Sequence, residues 1–141
     1  MSGAVTHEIS RSSSAPPERI FALLSDANAW SSWFKPARNV SFEPGASPPV
    51  RLVHVAPGLT IREVILEETA PNHHAYSIRS VLPVRNHRAD VHLSRRPDGG
   101  TDISWTFSLQ PKVPGTGALL KAGLGHAVGL LCSALVKAAE S

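Results

Sequence analysis

Between Val40 and Pro111 the chain repeats one pattern six times: a short alternating run, then a cluster of turn residues. The runs are "VSF", "VRLVHVA", "LTIREVILEET", "HAYSIRSV", "VRNHRADVHLSRR" and "TDISWTFSLQP". The breaks are "PGASPP", a turn at Pro57-Gly58, "APN", Pro83 and "PDGG", the strongest hairpin signal in the chain. Apolar–polar alternation is the mark of a half-buried strand, and a spacing of roughly ten residues suits an antiparallel meander.

Helices are expected on both sides of this block. "AVTHEIS" alternates through Val5, His7 and Ile9 and reads as a first strand, broken by "RSSSA". Pro16 and Pro17 then open a helix, with Ser14 a candidate cap and Glu18 in the first turn. Ile20, Phe21, Leu23 and Leu24 form its apolar face. Ser25 to Asn28 reads as a second cap before a short turn carrying Trp30, Trp33 and Phe34. Those three fall at i, i+3 and i+4 and share one face. The last helix is expected from about Gly115 to Ala139. Leu120, Leu124, Val128, Leu131 and Leu135 lie on one face, and Ala118, Ala122, Gly125, Gly129 and Cys132 on a neighbouring one. So many glycines make this helix weak by propensity, so packing must hold it.

The strand faces are partly assignable. Ile103, Trp105, Phe107 and Leu109 share one face of the last strand; Ala89, Val91 and Leu93 share one face of the strand before it. Tyr76 and Ile78 form an inner pair. In "TIREVILEE" two registers remain open: Glu63 inward with Ile61 and Ile65, or Val64 and Leu66 inward.

A chain of 141 residues fits one domain, here residues 1–141, and buries enough surface to need no staples. The single cysteine, Cys132, excludes an intramolecular disulfide and points to a reducing, cytoplasmic setting. The net charge is +3, but the arginines are scattered from Arg11 to Arg96 rather than concentrated, which argues against nucleic acid as partner. "MSGAVTHEIS" carries no signal pattern. The stretch from Gly117 to Val136 has the length of a membrane span. Its Lys121, His126 and Ser133, and the strands before it, favour a helix covering the domain over an integral span.

Four stretches in this order resemble the helix-grip fold of the START / Bet v 1-like (SRPBCC) superfamily, and in particular its bacterial polyketide cyclase/dehydrase-like members. They are "APPERIFALLSDANAWSSW", "REVILEETAPNHHAYSI", "GGTDISWTFSLQP" and the terminal helix, together covering nearly the whole chain. The resemblance implies an α+β fold, β-α-α-β×6-α. A strongly curved antiparallel sheet would wrap around the C-terminal helix and leave a cavity that the two short helices close at one end. It does not imply one function, because the superfamily hosts carriers, receptors and cyclases.

On that architecture Trp30, Trp33, Phe34, Tyr76, Trp105 and Phe107 converge on one interior. Aromatics dominate ordinary cores as well, but a sheet and one helix with a face of alanines and glycines leave volume unfilled. The expected ligand-binding residues are therefore these six with Ile78, Val91, Leu124 and Val128. Glu63, His87 and Tyr76 are the candidate acid–base groups; no spacing ties them together. An inward Glu63 would be buried, whereas a solvated strand position beside Arg62 is the plainer account. Arg51 and Arg11 could reach a ligand carboxylate, although surface positions are the plainer account for both. No metal site is expected: the chain has no His-Glu-x-x-His or paired-cysteine motif, His87 and His92 point to opposite faces, and so do His73 and His74. No cofactor motif is present; Cys132 reads as a small hydrophobe, and the Gly125-to-Gly129 GxxxG as allowing close helix packing or a homodimer contact.

Three functions fit. The first is binding of a small, largely hydrophobic lipid- or polyketide-like molecule in the cavity. The second is an aromatase/cyclase-dehydratase using acid–base residues in the same cavity. The third is an interaction or dimerisation module with a filled core.

Overall fold

The polypeptide runs β1 (Val5–Ser13), α1 (Pro17–Ser25), a 3-10 turn (Ala27–Ala29), α2 (Trp30–Trp33), then β2 (Asn39–Phe42), β3 (Val50–Ala56), β4 (Leu59–Thr69), β5 (His73–Ile78), β6 (Val84–Arg95), β7 (Thr101–Pro111) and α3 (Gly117–Glu140). The computed structural model describes residues 4–56, 58–79 and 82–141. Pro57 of the expected turn, and Ser80 and Val81 at the end of the expected "HAYSIRSV" strand, lie outside the described residues.

The seven strands form one antiparallel sheet in the order β1-β7-β6-β5-β4-β3-β2. This is the expected meander, with the first strand returning beside the last. "PDGG" turns β6 into β7: Gly99 has φ +90°, and Arg96 and Gly100 close the turn with a 2.8 Å hydrogen bond. A Cβ at Gly100 would lie 2.3 Å from the Ser13 carbonyl oxygen, so only glycine lets the β1 end approach this closely.

Register fixes the inner face. Ile103, Trp105 and Phe107 stand opposite Leu93, Val91 and Ala89 on one side, and opposite Arg11, Ile9 and His7 on the other. In β4, Glu63 pairs with Ile78 and Ile65 with Tyr76, which resolves the open register in favour of Ile61, Glu63 and Ile65 inward. A bulge follows between Ile65 and Glu67. Glu63 is therefore 7% exposed rather than a solvated strand residue.

α3 lies across this face and makes most of its contacts with β1. A Cβ at Gly125 would stand 3.0 Å from the His7 ring, and one at Gly129 3.7 Å from the Arg11 guanidinium. The GxxxG thus lets the helix pass over two bulky β1 side chains. Arg11 also donates to Ser133 Oγ at 3.3 Å. At the far end the Glu140 carboxylate accepts from the Ser13 hydroxyl (2.9 Å) and the Ser14 N–H (3.0 Å), while Arg19 of α1 donates to the Ala139 carbonyl (3.1 Å). Ser14 is occupied there and does not cap α1, whose N-cap is Pro16. The second cap is Asp26, whose carboxylate accepts from the Asn28 N–H at 3.1 Å.

Val128, Leu131, Cys132 and Leu135 are buried under α3, whereas Leu119 and Leu130 are 74% and 52% exposed. By length and composition α3 could cross a membrane. In the fold it lies against the sheet, and its buried stripe packs on the core built from Ile20, Leu24, Trp30, Trp105 and Phe107. Each such side chain contributes about 1.5–3 kcal/mol by leaving water.

Candidate functional site

Among the described residues Arg51 is the most deeply buried arginine, although sequence reasoning placed it at the surface. It is 1% exposed because β3 carries Arg51 and Val53 on the inner face, opposite Glu63 and Ile61 of β4. Its Nε and Nη2 donate to Glu63 Oε1 at 2.9 and 2.7 Å, and Nη1 donates to the Leu24 carbonyl at 3.0 Å. The guanidinium carbon sits 4.2 Å over the Trp30 ring, a cation–π contact made stronger by exclusion of water. Trp30 Nε1 donates to the same Leu24 carbonyl at 2.8 Å. His74 completes the cluster, with Nε2 3.5 Å from Arg51 Nη2 and Nδ1 3.4 Å from Glu68 Oε2.

Tyr76 follows His74 on the same face. Its hydroxyl accepts from Trp105 Nε1 at 3.2 Å, and its ring meets Trp105 edge-on at 6.3 Å. Burial, with the Glu63 charge adding to it, pushes the phenol far above its usual range. Tyr76 remains a neutral hydroxyl at any physiological pH.

Beyond Tyr76 and Ala89 the β5–β6 pairing stops, and β6 bulges between Arg85 and Arg88 where Asn86 takes φ +53°. The strands part there. His87 sits at the parting, its ring 5.9 Å from Tyr76 and 6.4 Å from Phe107. Its Nδ1 accepts the Ile78 N–H at 2.9 Å, which leaves the ring proton on Nε2. Burial lowers the imidazole pKa to about 4, so His87 is a neutral donor near pH 7.

His87 forms part of a cleft of about 670 Å³ whose rim carries three cations, Arg79, Arg85 and Lys112. Behind it, under the first half of α3, is an almost wholly apolar hollow of about 280 Å³ that includes Ile61, Leu109, Leu120 and Leu124. Ile78, Leu82 and Val84 line both spaces and form their common wall.

The expected ligand residues divide among three places. Ile78 and Leu124 line the hollow. Trp33 and Phe34 line a separate surface groove with Leu130 and Ala134. Trp30, Tyr76, Val91, Trp105, Phe107 and Val128 are buried in the packed core. The three acid–base candidates do come together on the inner face: Glu63 beside Arg51, then Tyr76, then His87. Of the three, only His87 lines the cleft. Cys132 is fully buried and its thiol is pushed up to about 11 by desolvation, as suits a small hydrophobe. Sequence reasoning did not find the cationic rim or His74. The Arg51 position had a signal in the Arg51, Val53, Val55 alternation, which competed with Val50, Leu52, His54.

Comparisons with known proteins agree with this architecture. The family model described as "Polyketide cyclase / dehydrase and lipid transport" matches residues 4–140. No curated protein matches the chain. Among solved structures, XoxI from Bacillus cereus is 20% identical with a TM-score of 0.76, covering 95% of this chain and 94% of that one. A START superfamily protein from Mycobacterium smegmatis is 14% identical with a TM-score of 0.77, covering 96% and 97%. The di-domain ARO/CYC BexL is 12% identical with a TM-score of 0.76, covering 97% of this chain and 49% of that chain. At these identities the likeness is one of fold. The chain thus belongs to the polyketide cyclase/dehydrase and lipid transport family, and its fold is the helix-grip fold of the START / Bet v 1-like superfamily.

Proposed function

We propose that the protein binds a small, largely hydrophobic molecule with a polar or anionic end. The observation that carries this reading is the shared wall of Ile78, Leu82 and Val84 between an apolar hollow and a cleft rimmed by Arg79, Arg85 and Lys112. An apolar body in the hollow would leave water at about 25 cal/mol per Å², before ordering costs. A carbonyl or carboxylate at the other end would meet the His87 Nε2–H and the cationic rim. Few convergent polar groups around an apolar pocket is the usual makeup of a small-molecule site. The family description, which includes lipid transport, supports the same class of ligand.

Native mass spectrometry of freshly purified protein, followed by denaturing extraction, tests this. A discrete apolar adduct is expected, lost in Leu124→Trp, which fills the hollow from the α3 side, with the fold intact by circular dichroism. A clean apo mass, with no thermal shift on a panel of fatty acids and polyketides, would overturn the reading.

A second reading, acid–base cyclisation or dehydration of a polyketide, draws on the neighbouring Glu63, Tyr76 and His87. The Glu63 carboxylate is held by Arg51 and Tyr76 lies in the packed core, so of the three only His87, whose Nδ1 takes the Ile78 N–H, lines the cleft. Turnover of a poly-β-ketone that disappears in His87→Ala would favour this reading over simple binding.

A further inference from the structure

On the outer face of the sheet, away from cleft and hollow, the β5–β6 ladder sets His73 directly opposite His92. Their rings stack with centroids 4.3 Å apart and planes 10° from parallel. Asp90 points the same way, two residues before His92, and its Oδ2 lies 2.7 Å from His73 Nε2. One ligand atom from each of the three lies within 4.8 Å of those from the other two. We propose that His73, Asp90 and His92 bind a divalent transition cation of the zinc class.

Two imidazoles and a carboxylate are a donor set that suits Zn²⁺. A tetrahedral ion with bonds of about 2.0–2.1 Å holds its ligand atoms about 3.3 Å apart. The 2.7 Å contact must open slightly and the wider separations close, all by side-chain rotation on a rigid pair of strands. Glu67 supplies an independent feature of such sites. Its Oε2 lies 2.7 Å from His73 Nδ1 and accepts that N–H, so the proton that Nε2 now gives to Asp90 is the one an incoming ion would displace. A carboxylate behind the histidine fixes the tautomer and raises its basicity toward metal. His92 is exposed, which leaves a coordination position for water. Arg88 opposes binding, since it donates to both Asp90 oxygens at 2.9 and 3.1 Å. Adjacent histidines along one strand diverge; the pairing arises across strands, which inspection of single strands does not reveal.

Isothermal titration of the intact protein with Zn²⁺ in a non-chelating buffer tests the site. One ion per chain is expected. His92→Ala and His73→Ala should each weaken binding at least tenfold, and Glu67→Gln should weaken it by about tenfold or more. Arg88→Ala should tighten it, and His126→Ala on α3 should leave it unchanged. Because His92 is exposed, its variant keeps the fold and the test decisive even if His73→Ala destabilises the sheet. Absence of stoichiometric binding, or binding unaltered in His92→Ala, would overturn the proposal.

Discussion

Arg51 gives Nε and Nη2 to a single oxygen, Glu63 Oε1, while its guanidinium carbon sits 4.2 Å over the Trp30 ring. The pair is shut off from water where β3 and β4 meet on the sheet's inner face. Glu63→Gln removes the compensating charge but leaves the cation buried, a change that costs about 3–5 kcal/mol. Urea denaturation of Glu63→Gln, Arg51→Met and the double variant Arg51→Met/Glu63→Leu checks this. The double variant should be more stable than Glu63→Gln, because no charge is stranded. If Glu63→Gln matches the parent, the two groups do not depend on one another.

Tyr76→Phe tests the second buried contact. The substitution keeps the ring and removes the hydroxyl that accepts from Trp105 Nε1. A buried N–H left without a partner costs about 1–3 kcal/mol. Thermal unfolding should show that loss, with a change in Trp105 fluorescence. An unchanged Tm would mean that the indole finds another acceptor.

His87 gives the acid limb of stability a definite sign. Its pKa is about 4 folded and about 6.5 unfolded. Above pH 6.5 both states are neutral and the full contribution is present. As pH falls from 6.5 toward 4 the unfolded chain takes up a proton that the folded one refuses, and stability drops by up to about 3 kcal/mol. The raised pKa of His73, caused by its Asp90 and Glu67 hydrogen bonds winning over desolvation, acts with the opposite sign. Comparing the parent with His87→Gln, which keeps an acceptor for the Ile78 N–H, isolates the His87 part. The variant should lose less stability between pH 6.5 and 4; parallel curves would show that His87 titrates normally.

Two glycines of α3 should respond differently to alanine. A Cβ at Gly123 meets nothing within 4 Å, so Gly123→Ala should gain about 0.5–1 kcal/mol from helix propensity. A Cβ at Gly125 meets the His7 ring at 3.0 Å, so the same gain is offset by displacement of that ring. Chemical denaturation of both variants reads the difference. Equal stabilisation would mean that His7 swings aside freely.

The order of strands and helices was legible in the sequence because it rests on local chemistry. Two-residue alternation, the proline pair before α1 and "PDGG" before β7 act within a few residues, and the elements formed close to where they place them, although β1 runs on to Ser13 through the expected break at "RSSSA" and β5 ends at Ile78. The inner faces of β6 and β7 were legible for the same reason, since Ala89, Val91, Trp105 and Phe107 alternate cleanly with polar neighbours. In "TIREVILEE" apolar residues occupy both parities, so only pairing with β3 and β5 turned Glu63 inward. Once it was inward, the buried Arg51 had its counter-charge. The cleft likewise depends on where β5 and β6 part, which brings Arg79, Arg85 and Lys112 from distant stretches to one rim. His73 and His92 meet by the register of two strands. Periodicity along a chain determines which face a side chain takes; contact between chain segments far apart is decided by strand register and helix docking, and those exist only in the folded sheet.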